Sequence, residues 1–488
     1  MLRPWNVQLF LDDSVGQTFH AKLSNQLMKD IQTGRLAPGM MMPGSRSLAT
    51  QLGVNRKTVQ LVYEELNAQG WLISKPRSGT FVADVLPEKY LSIDNVKLIN
   101  TAKKSATSLD IKSSGYLATL DSEIVKLSSN DGVPDARLIP YELLSKAYRR
   151  ALIQSSKKKH LGYGDPLGSI ELRGSIKKML NMDRFMIVSN DQVCIVRGSQ
   201  MGIFVASRVI SPSNGAIIVE DLCYQPAKAA FESNGFKVVH CKLDDQGLNI
   251  DHLETLLKTN KVAAVYTTPH HQYPTTVSMT MERRLKLLYL SKEYQFRIIE
   301  DDYDHEFHYD GRPIPPLASL PNSEYVVHIG SLSKVFAPGL RLGYMTADTQ
   351  FIKTAAQEIM IIDRQGNTAT ELAISDLMQS GDVKRHIRKV RKQYHSRRDF
   401  TVNEFKKVFN DKVSFNIPAG GLALWVNLSK IITSQDIKNY DQIDSNLHFY
   451  TNTDQSDGIF IRFGFGALTE SEISESINKI MTNLYDTF

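Results

Sequence analysis

Residues 325–348 read YVVHIGSLSKVFAPGLRLGYMTAD. An apolar run ends on glycine and serine, delivers a lysine, Lys334, turns at Pro338-Gly339, and returns past Arg341 into a second apolar run. Runs apolar on both faces are strands of a sheet covered on both sides. Five more precede them: DQVCIVRG (191–198), GAIIVE (215–220), FKVVHC (236–241), VAAVYTTP (262–269) and FRIIEDD (296–302). Between several lie amphipathic helical stretches, QMGIFVASRVI (200–210), YQPAKAAFESNG (224–235) and MERRLKLLYLSKEYQ (281–295). Strands alternating with helices predict an α/β domain with a mainly parallel sheet, running from residue 122 to 488. In such sheets ligands gather beyond the C-terminal ends of the strands.

The strand ends carry chemistry in order. After VCIVR, Gly198-Ser199-Gln200 opens a helix, and helix N-terminal amides beside a serine suit a phosphate. After IIVE comes Tyr224, an aromatic that either covers a flat ring or packs in the core. After RIIE, Asp301 suits a protonated heterocyclic nitrogen, and the phenol of Tyr303 suits a ring oxygen. After VVHIG, Lys334 offers an amine for a Schiff base, with Ser331, Ser333 and Arg341 available to a phosphate. Taken singly, Lys334 reads as a surface lysine and Gly198-Ser199 as a plain turn. Taken together they match one cofactor, pyridoxal 5'-phosphate (PLP), which has an aldehyde, a pyridine nitrogen, a ring face and a phosphate.

The front of the chain reads differently. From His20 to Val82, eight Lys and Arg stand against three acids, while the whole chain of 488 residues has a net charge of only +6. A local basic excess is the footprint of a polyanion-binding module, although a solvated basic face gives the same pattern. Leu23, Leu27 and Ile31 make one helical stripe; Ser45 is the expected N-cap of a short helix through Leu52, and Gly53 its stop. Asn55 is the expected N-cap of a second helix with Val59, Val62, Tyr63 and Leu66 inward. Two β-rich pieces, 71–74 and 80–83, then flank a turn with Arg77 at its tip. Helix, short helix, turn and helix followed by a hairpin predicts an α+β winged helix-turn-helix over 18–86, with Arg56, Lys57 and Thr58 opening the recognition helix. Residues 87–121, polar and without periodicity, read as a linker.

PGSRSLATQLGVNRKTV and SGTFVAD resemble the DNA-binding domain of GntR-type bacterial regulators. NDGVPDARLIP, YGDPLG, RGSQMGI, TTPHHQYPTT, IEDDYDHEF, SLSKVFAPGLRLGY, GGLALW and IRFGFG resemble the landmarks of fold-type I, aminotransferase-like PLP proteins. Fused in this order, they make the chain similar to the MocR subfamily of regulators. The resemblance implies that Lys334 forms the internal aldimine, that Asp301 pairs with the pyridine nitrogen, that Tyr303 reaches the ring hydroxyl and that Tyr224 stacks on the ring. It further implies that the Gly198-Ser199-Gln200 turn, Ser331, Ser333 and Arg341 hold the phosphate, with Tyr163 reaching it from the partner subunit of a head-to-tail homodimer. Arg462 is implied to grip an effector carboxylate, or else is a structural arginine. In the front domain it implies DNA contacts from Arg46, Arg56, Lys57, Thr58, Arg77 and the wing residue Gly79. Four positions depart from the family pattern: Thr276 for a glycine, Leu222-Cys223 for Pro-Gly, Pro226 near a second ligand-binding arginine, and Ala423 for a histidine. They lie where the effector would bind, so its identity does not transfer.

No apolar run approaches the roughly 18 residues that span a bilayer, and the N-terminal stretch lacks a signal-peptide pattern. Three cysteines form neither a disulfide framework nor a metal-ligand spacing, so a cytoplasmic protein without a metal is expected. Two main functions remain: a transcriptional regulator binding double-stranded promoter DNA and sensing PLP or an amino compound, and an aminotransferase with an accessory DNA-binding domain. A mute dimerisation scaffold is the third.

Overall fold

The computed structural model describes residues 18–76, 78–86, 132–158, 161–433, 437, 448–451 and 458–485. They fall into two compact units, one holding residues 18–86 and the other residues 132 onward. The expected linker at 87–121 and the wing-tip Arg77 lie outside the described residues.

In the first unit, α1 (Phe19–Gln32), α2 (Ser45–Leu52) and α3 (Arg56–Ala68) precede a hairpin of β1 (Leu72–Lys75) and β2 (Gly79–Val82). The stripes Leu23, Leu27, Ile31 and Val59, Val62, Tyr63, Leu66 are buried together with Leu48, Trp71 and Val82. Asn55 caps α3, its side chain accepting from the Lys57 amide at 2.8 Å. Gly53 ends α2 in the left-handed region (φ +64), where a Cβ would be strained. The expected cap of α2 is displaced by one residue. Gly44 is the N-cap, with no side chain to bond, and Ser45 is already helical; its hydroxyl is taken by Arg56 Nε at 3.4 Å.

The second unit is built on a seven-stranded sheet. Its strands are β3 (Val193–Val196), β4 (Ala216–Glu220), β5 (Val238–Cys241), β8 (Val262–Thr267), β9 (Arg297–Asp302), β10 (Val326–Ser331) and β11 (Gly343–Thr346). A two-residue hairpin, β6 (Leu243–Asp244) and β7 (Gly247–Leu248), lies between β5 and β8. The order is β3-β11-β10-β9-β8-β4-β5, and only β11 runs against its neighbours. All seven apolar runs are therefore strands of one sheet.

Both faces are covered, as those runs demand. One carries Ile217, Val219, Ala264, Tyr266, Ile299 and Ile329 beneath α6 (Gly198–Val209), α7 (Gln225–Ser233) and α10 (Thr349–Ile362). The other carries Ile218, Val265, Ile298 and Val326 beneath α8 (Ile250–Thr259) and α9 (Met281–Tyr294). Neighbouring residues take opposite faces, the period-two signature of a strand. A third core joins α4 (Tyr141–Lys158), α5 (Ile170–Asp183) and α11 (Thr368–Gln379) to the β3 edge. Beyond it, α12 (Asp382–Phe409) and α13 (Glu470–Tyr485) pack on a small antiparallel sheet, order β12 (Ala423–Asn427), β14 (Ile459–Gly464), β13 (Phe449–Thr451). No helix among the described residues is long and apolar enough to cross a membrane.

Candidate functional site

The site forms beyond the ends of β9 and β10, whose register sets Asp301 opposite Ile329. Period two then separates two adjacent acids. Asp301 shares the face of Ile299 and meets Tyr266, whose hydroxyl donates to Asp301 Oδ2 at 3.0 Å. Asp302 points the other way, to Arg184 at 2.9 Å and His305 at 3.0 Å. Burial raises the Asp301 carboxyl to about 7, while the Tyr266 hydroxyl and, more weakly, the Lys334 ammonium pull it back. Asp302, despite equal burial, is held well below the usual carboxylate range by His305 and Arg184. Oδ1 of Asp301 is buried without a hydrogen-bond partner. An orphaned acceptor of this kind costs stability until a donor meets it.

Lys334 follows β10. Its Nζ lies 4.2 Å from the Tyr303 ring centroid and donates, at a long 3.4 Å, to the Gly132 carbonyl. Tyr303 is buried, which pushes its hydroxyl well above the usual range, and it donates to the His271 carbonyl at 2.9 Å. Arg462 comes from β14, with a side chain almost wholly buried. It donates to the Pro274 carbonyl at 2.7 Å and its guanidinium lies 4.8 Å from the Tyr273 ring centroid. Its Nε has no partner. A Cβ on Gly132 would stand 3.3 Å from the Arg462 Nη2, so Gly132 links Arg462 to Lys334. Tyr224 stands edge-on to Tyr273, ring centroids 5.5 Å apart. Lys334, Tyr303, Arg462 and Tyr224 are thus joined through direct contacts and the intervening Gly132 and Tyr273, and the Lys334 charge acts on the Asp301 carboxyl.

A second corner forms at the N-terminus of α6. Gly198 has φ +77, and a Cβ there would meet the Arg341 guanidinium at 2.9 Å. Gly343 pairs with Ser331 and lies against the Gly198 backbone, where a Cβ would be 3.1 Å from it. Glycine-permitted approaches therefore gather the α6 amides, Ser331 and Arg341. The Ser331 hydroxyl accepts from the Ser333 amide at 3.2 Å. Both serines are buried and Ser199 is half-buried in the first turn of α6, which holds no acid. Gln200 behaves differently from the others: its amide is spent on the Pro226 carbonyl at 2.8 Å.

Tyr163 stands apart, 86% exposed, with Arg364 4.9 Å from its ring centroid. It borders a cavity of about 290 Å³ lined also by Asp165, Gln365 and Glu371. Gln365 and Glu371 also line the adjoining cavity of about 220 Å³ that Arg341 borders. Sequence reasoning missed Tyr266, Tyr273 and Gly132. The only signals were a hydroxyl-bearing residue inside an apolar strand, an aromatic in HHQYPTT and a glycine in NDGVPD.

In the first unit Arg46, Arg56 and Lys57 are exposed and Thr58 is half-buried; α2 and α3 carry no acid in their first turns. The basic surface therefore coincides with the positive end of α3. Gly79 opens β2 at φ +114, where a Cβ would meet the Met41 methyl at 3.0 Å.

Comparison with known proteins matches residues 20–82 to the bacterial regulatory proteins of the gntR family. Residues 122–480 match the class I and II aminotransferases. The chain is 28% identical to the HTH-type transcriptional regulator YdeL of Bacillus subtilis, over 96% of this chain and 98% of that one. It is 25% identical to the probable rhizopine catabolism regulatory protein MocR of Rhizobium meliloti, over 88% of this chain and 85% of that one. Among solved structures, a kynurenine aminotransferase of Pyrococcus horikoshii matches with a TM-score of 0.67 at 27% identity, covering 79% of this chain and 97% of that one.

Proposed function

The chain belongs to the class I and II aminotransferase family and is a transcriptional regulator of the MocR type, with a gntR-family domain ahead of the aminotransferase-like one; from that premise we propose that it senses PLP, or an amino compound through PLP, at Lys334. The observation that carries the reading is the buried Oδ1 of Asp301, left without a hydrogen-bond partner at the end of β9, within the electrostatic reach of Lys334, which follows the neighbouring β10. An amine and an unmatched acid at neighbouring strand ends are what a pyridine aldehyde requires. The glycine-lined corner at Gly198 and Arg341 fits its phosphate.

When bound, PLP supplies an aldehyde that captures amines and a ring that withdraws electrons. The chain's residues do the rest. Lys334 would be the residue that holds the aldehyde, and a competing free amine would take its place. Oδ1 of Asp301 would be free to accept from the ring nitrogen, because the Tyr266 hydroxyl already donates to the other carboxylate oxygen. Tyr303, beside the Lys334 amine, would orient it, and Tyr224 with Tyr273 would cover the ring. Ser199, Ser331, Ser333 and Arg341 would hold the phosphate, and Tyr163 would serve the neighbouring copy of a head-to-tail homodimer. Arg462 takes a carboxylate if the effector has one.

Displacing Lys334 also frees the Gly132 carbonyl. The regulator works where promoter DNA is, in the cytoplasm.

The test is operator binding by full-length protein, with and without PLP and a panel of amines, for wild type and Lys334→Ala. Borohydride reduction should fix the cofactor to a Lys334-containing peptide in wild type alone. A DNA response to ligand should vanish in the variant. Equal labelling of the two proteins, or an unchanged ligand response in Lys334→Ala, overturns the assignment.

A further inference from the structure

Behind the site, four histidines converge from two loops. His270 and His271 follow β8; His305 and His308 follow β9. The His270 ring lies 4.5 Å from His271, 4.6 Å from His305 and 5.7 Å from His308, centroid to centroid. The cluster is rich in unmatched polar atoms. Nε2 of His270, Nε2 of His271 and Nδ1 of His308 are all buried without a hydrogen-bond partner, as are Oδ1 of Asp302 and Oδ2 of Asp304. Among the described residues no other part of the chain gathers so many. Native proteins leave few such atoms, and a group of them calls for an explanation such as a bound ion.

We propose that His270, His271 and His308 form a binding site for a borderline divalent transition metal of the zinc class. Three observations carry it. Ligating nitrogens of these residues lie within 4.8 Å of one another. His271 Nδ1 contacts Asp304 Oδ1 at 2.7 Å; with Nδ1 donating, Nε2 keeps its lone pair, and a carboxylate that orients an imidazole is the usual support of a metal-bound histidine. Finally, residue 420 is a glycine: a Cβ there would stand 2.6 Å from His271 Nε2 and close the space beside it, although the same glycine also clears the Phe307 carbonyl.

Three imidazoles suit zinc, copper or nickel and leave a fourth position to water. Zinc–nitrogen bonds of about 2.0–2.1 Å require a nitrogen spacing of about 3.4 Å, so small side-chain rotations close the site. A second set, His270 with Asp302 and His305, shares one ligand with the first. It is disfavoured because Asp302 is already paired with Arg184 at 2.9 Å, and that cation repels a metal ion. The loops fastened by the metal are those that carry Tyr273 and Tyr303 into the Lys334 site. The inference itself does not depend on what Lys334 binds.

The test uses tag-free, full-length protein stripped with a chelator and dialysed against Zn²⁺, with metal counted by mass spectrometry. One zinc per chain is expected for wild type, and Co²⁺ in its place should give the visible absorption of a nitrogen-ligated, low-coordinate ion. His308→Ala and His270→Ala should lose affinity by more than the roughly 10–100-fold that removing an orienting partner costs, and Asp304→Asn should lose about that much. His305→Asn should bind as wild type. Wild type without stoichiometric zinc, His308→Ala with undiminished binding, or loss confined to His305→Asn would each overturn the proposal. The wild-type measurement decides even if a variant fails to fold.

Discussion

Replacing Asp301 by Asn should make the cofactor-free protein more stable at neutral pH and a poorer binder of PLP. The carboxyl is buried, and its pKa rises from 3.8 to about 7. A proton is thus retained in the folded state over a window in which the unfolded chain has lost it. Protons bound to the unfolded state are fewer there, so wild-type stability falls as pH rises through that window. The two pKa values differ by about 3 units, and at about 1.36 kcal/mol per unit the cost above pH 7 is at most about 4 kcal/mol. Asn keeps the size and still accepts from Tyr266, but does not titrate. The measurement is urea unfolding of cofactor-free wild type and Asp301→Asn between pH 5 and 8. Their stability difference should move in favour of the variant as pH rises, while all other titrating groups cancel. PLP affinity should move the opposite way. A charge-assisted hydrogen bond is about twice as strong as a neutral one, so a loss of roughly 1–2 kcal/mol, about tenfold, is expected at pH 8. A pH-independent stability difference would refute the burial argument, and unchanged PLP affinity would refute the pairing with the ring nitrogen.

Arg56→Ala should weaken operator binding and reduce the slope of log affinity against log salt by about 0.9 for each copy of Arg56 on the DNA; an unchanged slope places Arg56 off the phosphates. Thr276 holds φ +63, where a β-branched residue is strained by about 1–3 kcal/mol and glycine costs about 0.5–1, so Thr276→Gly should raise stability by about 1 kcal/mol in urea melts; a loss of that size refutes the strain. Arg462→Gln should weaken the DNA response to carboxylate-bearing amines by about 10–100-fold while sparing the response to PLP, and equal loss for both makes Arg462 structural. Sustained keto-acid release from an amino donor, over many turnovers per chain, is not expected of a sensor and would establish the aminotransferase reading.

The sheet was legible because its strands are buried on both faces and so read as unbroken apolar runs. Its order was not, since parallel neighbours are set by crossovers that leave no local mark. One pairing was an exception. Only residues 332–342 separate β10 from β11, close to the minimum for a helical crossover, and the pair is antiparallel. Side-chain chemistry was legible where it ended a strand, as at Asp301, Lys334 and Gly198. It was hidden where it lay inside one. Tyr266 sits within VAAVYT and becomes a partner of Asp301 only because β8 pairs with β9, setting Tyr266 beside Ile299. The histidine cluster was hidden for the same reason: its two halves are more than thirty residues apart in the chain and meet only through that pairing. The α2 cap failed on a finer scale, because Ser45 and Gly44 are both acceptable caps and the Arg56 side chain takes the serine hydroxyl instead.

A sensor and a transaminase share every residue up to the capture of an amine, so the chemistry of the pocket does not by itself separate them. The energetic demand does. A 100-fold change in DNA affinity requires about 2.7 kcal/mol of coupling. Three hydrogen bonds around the amine are exposed to rearrangement on capture: Lys334 to Gly132, Tyr303 to the His271 carbonyl and Arg462 to the Pro274 carbonyl. Bonds from charged donors contribute about 1.5–3 kcal/mol each and neutral ones about 0.5–1.5, so exchanging the two from Lys334 and Arg462 suffices. Catalysis asks for something else, a lysine that returns to the same position after each turnover and a pocket that releases its product. A DNA-binding domain fused ahead of the pocket gains from the first step alone.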